Sequence, residues 1–145
     1  MRLVNGITAG LAGMTALGVP LTHRAHAHGV VFVTGHAKPG AAGTDWRPLA
    51  ATARDAPPPL VIYMGVSGAA HIQQELLSGL DASVPVAIIQ NASLPTQRHA
   101  VTTLGALHTT IEREQLASPS VIVVGDVLQG LAAAAQDAPA QARTA

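Results

Sequence analysis

The stretch Pro59–Leu77, PLVIYMGVSGAAHIQQELL, limits the possible folds more than any other. Leu60–Met64 is a short apolar run rich in β-branched residues, which predicts a buried strand. Gly65 to Gly68 reads as a tight turn. From about Ala69 the apolar positions recur at helical spacing, which predicts an amphipathic helix. A strand that runs straight into a helix sets its C-terminal edge beside a helix N-terminus. In open α/β sheets that edge is where ligands bind.

The rest of the chain repeats the theme. Val30–Thr34, Val84–Ile89 and Val121–Val124 are further apolar runs, each followed by a polar or glycine-containing turn. They are continuous rather than alternating, as expected of strands covered on both faces. Gln97–Thr103 reads as a short strand whose direction the sequence does not give. Thr8 is placed to cap a helix reaching about Leu17. On it Ile7, Leu11, Met14 and Leu17 form the predicted buried stripe, and Ala9, Gly10 and Gly13 form a small-residue face that permits close backbone approach. Trp46–Arg54 and Leu104–Ala117 are predicted helices, and Asp55-Ala56-Pro57-Pro58-Pro59 is a stiff stop. The expected class is α/β: one layered sheet with helices on both faces.

Composition narrows what such a fold does. Of 145 residues, 48% are hydrophobic and only 11% charged, which excludes disorder and suggests apolar surface facing a partner. A net charge of +0 and 2% aromatics give no basis for binding nucleic acid or an acidic membrane. With no cysteine, disulfides and thiolate metal sites are excluded. The N-terminal run ITAGLAGMTALGV, followed by Ala25-His26-Ala27, has the outline of a secretion signal. Gly10, Gly13 and Gly18 within it, with Gly6 just before, make a poor apolar core, and it is too short to span a bilayer.

Several constellations compete for the chemistry. His23, His26 and His28, with His36 nearby, could bind zinc or nickel, as in a secreted histidine-rich metal binder. No carboxylate lies among them, and their spacing is not one helix face. Gly65-x-x-Gly68 lacks the lysine of a phosphate loop, and Gln90 stands where a dinucleotide fold needs an acid. Ser67 lacks the G-x-S-x-G frame of a hydrolase and reads as a turn or capping residue. Met64 ends the central strand at the ligand edge, with Asn91 and Ala92 at the equivalent edge of the next strand. A crevice of backbone groups, small side chains and a methionine suits a flat heteroaromatic ring. On periodicity alone, Met64 reads as a core residue.

Six blocks in order carry a family resemblance: V-N-G-I-T-A-G (4–10), G-V-P-L-T-H-R (18–24), V-F-V-T-G-H (31–36), V-I-Y-M-G (61–65), P-V-A-I-I-Q-N-A (85–92) with T-Q-R (96–98), and I-V-V-G-D-V (122–127). Together they resemble the uroporphyrinogen-III C-methyltransferases of the tetrapyrrole methylase family, whose domain also forms the C-terminal part of siroheme synthase. The resemblance implies two α/β domains with S-adenosylmethionine (SAM) in the cleft between them. This chain matches the second. The expected division is residues 1–28 as the end of a missing N-terminal domain with its connecting helix, 29–130 as the C-terminal tetrapyrrole methylase domain, and 131–145 as a low-complexity tail. The start Met1-Arg2-Leu3 replaces an upstream strand, and Asn5 stands where the family usually has proline.

By the same resemblance, Thr8 and Ala9, Met64 and Ala92 contact SAM, no residue inherits a catalytic role, and no metal is used. The implied reaction is SAM-dependent C-methylation of uroporphyrinogen III at two pyrrole carbons, giving precorrin-2 for siroheme or cobalamin. The implied setting is a cytoplasmic homodimer with no nucleic-acid or membrane partner. Arg24 and Arg98, with His23 and His36, are candidates to face the substrate carboxylates. The expected part of this chain is to supply only part of the SAM cleft, without methyl transfer of its own. The alternative is a non-catalytic remnant that only dimerises.

Overall fold

Three apolar runs form the middle of one five-stranded sheet. The computed structural model describes residues 3, 5–25, 27–36, 42–51 and 57–132. Its strands are β1 (Val31–Thr34), β2 (Leu60–Tyr63), β3 (Pro85–Gln90), β4 (Arg98–Thr103) and β5 (Ser120–Val124). The spatial order is β1-β2-β5-β3-β4. β1 runs parallel to β2, while β5 is antiparallel to both β2 and β3, and β4 is antiparallel to β3. β2 and β3 therefore point the same way but do not touch. Their C-terminal ends flank the N-terminal start of β5.

The continuous apolar runs are explained by burial on both faces. Leu60, Ile62, Val86, Ile88, Ile122 and Val124 point to one face. There they pack with Trp46 and Ala50 of α2 (Trp46–Ala51), Ile72 and Leu76 of α3 (Ala69–Leu76), and Leu107 and Ile111 of α4 (Leu107–Glu114). Val61, Ala87, Ile89, Val121 and Val123 point to the other face and pack with Met14 of α1 (Ala9–Ala16), Leu21 and Leu128. The expected α/β class, with helices on both faces of a sheet, is the one observed. Double coverage holds only for the three inner strands. β1 and β4 are edges, and Phe32 and Thr34 of β1 are exposed.

Helix α1 keeps Met14 and Leu17 of its expected stripe against the sheet but turns the other two outward. Ile7 is 71% exposed and Leu11 43%, whereas Gly10, Gly13 and Met14 are buried. The space available decides this. A Cβ on Gly10 would lie 2.6 Å from Val61 Cγ1 and 2.7 Å from the Tyr63 hydroxyl, and one on Gly13 would lie 3.3 Å from Ile89 Cδ1. The helix backbone rides so close to the sheet that only the small-residue face fits beneath it, which turns two large side chains outward. Thr8 occupies the N-cap position but its side chain does not cap the helix.

The helix expected over Trp46–Arg54 is observed as far as Ala51; residues 52–56 lie outside the described residues, as do residues 37–41 and the tail from 133 onward. No helix among the described residues is long and apolar enough to cross a membrane.

Candidate functional site

At the edge where β2 and β3 end and β5 begins, the surface opens into a cleft of about 340 Å³. That is near the lower bound for small-molecule pockets. Each wall comes from a different element. Ala9 comes from the first turn of α1, and Tyr63 and Met64 from the end of β2. Ile89, Asn91, Ala92 and Leu94 come from the end of β3 and its turn. Ser118 to Val121 come from the entry to β5.

The backbone at both strand ends is held in an uncommon state. Met64 has φ 54° and Asn91 φ 52°, both in the left-handed region that residues with a side chain rarely occupy. At each end the chain turns off the sheet in a single residue. Met64 is left 59% exposed instead of joining the core. The turn after β3 is closed by its own hydrogen bonds. The Leu94 N–H donates to the Asn91 carbonyl at 2.9 Å, Asn91 Nδ2 donates to Thr96 Oγ1 at 3.2 Å, and the Ser93 N–H donates to Gln97 Oε1 at 2.7 Å. The Asn91 N–H also donates to the Pro119 carbonyl at 3.0 Å, tying this turn to the entry of β5.

Tyr63 links the second wall to the first. Its hydroxyl oxygen accepts the Gly10 N–H at 3.1 Å and pairs with the Thr8 hydroxyl. Its ring stacks on Phe32, with centroids 6.3 Å apart and planes at 19°. No carboxylate, imidazole or cation lines the cleft among the described residues. The described lining therefore offers a ligand shape, backbone groups and apolar contact.

Of the four residues expected to form the site, Ala9, Met64 and Ala92 line this one cleft. Thr8 stands beside Ala9 and is bonded to Tyr63. The sequence reading took the ends of β2 and β3 as neighbours. The structure corrects this, because β5 lies between them and brings Ser118, Pro119 and Ser120 into the cleft. Those three residues and Tyr63 were not expected there. A local pattern could not have revealed Ser118–Ser120, because their position depends on the antiparallel direction of β5.

The other candidates lie apart. Arg98 donates through Nη2 to the Glu114 carbonyl at 2.8 Å, closing the C-terminal end of α4. His28 Nε2 lies 2.9 Å from the Arg24 carbonyl, and His23 Nδ1 accepts the Ala25 N–H at 3.2 Å. His26 lies outside the described residues, and among those described no three histidine or carboxylate side chains converge. Ser67 sits in an exposed 3-10 turn, Val66–Gly68; neither that turn nor α3 has a side-chain cap.

Comparison with known proteins bears on this edge. The sequence profile of the tetrapyrrole (corrin/porphyrin) methylases matches residues 1–108. A uroporphyrinogen-III C-methyltransferase of Pseudomonas fluorescens is 45% identical over 128 residues, covering 88% of this chain and 50% of that protein. A siroheme synthase of Azotobacter vinelandii is 43% identical over 129 residues, 88% of this chain and 27% of its own length. The chain thus spans about half of the one and about a quarter of the other. A solved uroporphyrin-III C-methyltransferase from Thermus thermophilus, complexed with S-adenosylhomocysteine, superposes with a TM-score of 0.72 at 33% identity, covering 89% of this chain and 52% of that one.

Proposed function

The chain belongs to the tetrapyrrole (corrin/porphyrin) methylase family, and on that premise we propose that its cleft is one wall of a SAM site serving C-methylation of uroporphyrinogen III. The observation that carries this is the pair of left-handed residues, Met64 and Asn91, at two parallel strand ends on one cleft. Unfavourable backbone states held by the surrounding fold concentrate at ligand sites.

The residues fit the group. Ala9 and Ala92 leave room for backbone to approach a flat nucleoside. Met64 offers an exposed, polarisable thioether beside it. Among the described lining residues no cation stands to repel a sulfonium. In this reading Thr8, Ala9, Met64 and Ala92 are the contacts. When bound, SAM supplies an electrophilic methyl carbon that an electron-rich pyrrole can attack. The chain's own part is to fix orientation and keep water off one side of the nucleoside. With no carboxylate, imidazole or cation among the described lining residues, the 145-residue chain alone is expected to bind without methylating.

Calorimetry with S-adenosylhomocysteine on the 145-residue chain tests this. Binding is expected, and Met64→Asp should weaken it at least about 10-fold, or about 1.4 kcal/mol. No heat at about 1 mM ligand, an affinity weaker than about 4 kcal/mol, would sink the reading. Precorrin-2 formed by this chain alone would contradict the non-catalytic part.

A second reading, a domain that dimerises without binding a cofactor, is favoured by one observation. Leu3 and Ile7 just before α1, and Leu11 within it, are large apolar side chains left exposed, Leu3 at 83%. Sedimentation giving a dimer with no S-adenosylhomocysteine binding would select it.

A further inference from the structure

We infer that Tyr63 is a positioning residue whose hydroxyl sets the gap between the two walls of the cleft, by clamping the first turn of α1 to the end of β2. The inference rests on the SAM reading of that cleft.

Two residues of the α1 wall, on either side of Ala9, meet this one side chain. The Thr8 hydroxyl and the Gly10 N–H both bond to the Tyr63 hydroxyl. Ala9, the cleft-lining residue, is bracketed between them. A tyrosine hydroxyl has one proton and two lone pairs. The Gly10 N–H takes one lone pair, and the bond with Thr8 uses either the proton or the second lone pair.

Helix starts leave backbone N–H groups unpaired, and a Ser, Thr, Asp or Asn side chain at the N-cap usually satisfies one. Thr8 holds that position, yet its side chain makes no cap bond. Tyr63 accepts the Gly10 N–H in its place, from 53 residues away in sequence. The start of α1 is thereby fastened to the sheet rather than to itself.

The other wall begins at the next residue. Met64 follows Tyr63 directly and leaves the sheet through its left-handed turn. One residue therefore ends the strand that carries Met64 and holds the turn that carries Ala9. The stacked ring of Phe32 fixes the Tyr63 ring from the side. Gly10 makes the short reach possible, since a side chain there would collide with the hydroxyl.

Tyr63→Phe keeps the ring and its stacking and removes only the hydroxyl. The full chain and its variants are titrated with S-adenosylhomocysteine by calorimetry, with melting curves alongside. Affinity should fall about 5–10-fold in Tyr63→Phe, the size of one net hydrogen bond. Thr8→Val breaks the clamp from the other side and also removes the Thr8 hydroxyl from the cofactor contacts, so its loss should be at least as large. Because both act through one clamp, the double variant should be little worse than Thr8→Val alone. A merely structural weakening would lower the melting temperature without this non-additivity. Wild-type affinity in Tyr63→Phe, or losses that multiply in full, would overturn the inference while leaving the cofactor reading standing. If the wild-type chain does not bind, the cofactor reading itself fails. Should Tyr63→Phe not fold, Thr8→Val alone decides: unchanged affinity there also overturns the clamp.

Discussion

Met64 carries a local conflict between stability and use. A non-glycine residue in the left-handed region costs about 1–2 kcal/mol, and here the side chain recovers little by burial, being 59% exposed. Met64→Gly should relieve that cost. We expect unfolding in urea to shift upward by about 0.5–1 kcal/mol, while S-adenosylhomocysteine binding weakens for want of the thioether. A fall in stability would mean that the Met64 side chain packs more than its exposure indicates. Gly10 is the opposite case. Gly10→Ala places a methyl 2.6 Å from Val61 Cγ1 and 2.7 Å from the Tyr63 hydroxyl, so α1 must lift. The expected loss is about 1–3 kcal/mol by chemical denaturation, with ligand affinity falling because Ala9 moves too. At this scale the sequence was readable by family pattern but not by periodicity. An apolar residue at a strand end reads as core, and only φ and exposure reveal Met64 as a cleft wall.

Elements were legible where one signal settled them. The strands 60–63, 85–90 and 120–124 are short β-branched runs, and the structure returns them within a residue or two. Helix α1 shows where the signal misleads. Counting large apolar residues finds Met14 but also picks Ile7 and Leu11, which face outward where the small Gly10 and Gly13 bring the helix close to the sheet. The direction of β5 was not legible at all, since either direction gives the same apolar run. The connection from α3 to β3 has its own device. Asp81 Oδ1 accepts the Ser83 N–H at 2.8 Å and the Ser83 hydroxyl at 2.7 Å. The Ser83 hydroxyl first, and then its N–H, hold the Asp81 carboxyl below the usual carboxylate range. A carboxylate favoured in the folded state contributes stability above its ordinary pKa, and that contribution is lost as pH falls through the depressed value. An NMR titration should therefore find Asp81 titrating low, and Ser83→Ala should move it upward. An unchanged midpoint in Ser83→Ala would remove the hydroxyl as the main cause.

The whole molecule is two cores that share one sheet, and this sharing should make it unfold as a unit. Along β2, β3 and β5, successive residues serve opposite sides, Val61 beneath α1 and Ile62 beneath α3. Neither core can dissolve without exposing strands that the other needs. Trp46, the only tryptophan, lies in the α2–α4 core and is 4% exposed, so its fluorescence reports that side alone. Met14 lies in the α1 core on the far side and is 1% exposed. Met14→Ala should cost about 2–5 kcal/mol through lost burial and the cavity left behind. If the two cores are one cooperative unit, the Trp46 transition shifts by that full amount, although no part of the mutation touches its side of the sheet. Far-ultraviolet circular dichroism should follow the same curve. A Trp46 midpoint that stays put while the dichroism moves would show α1 detaching by itself. That outcome would matter for the cleft, because α1 supplies Ala9 to one wall while the sheet supplies Met64 and Ala92. A cleft assembled from separately melting parts would lose ligand at temperatures where the Trp46 core is still intact.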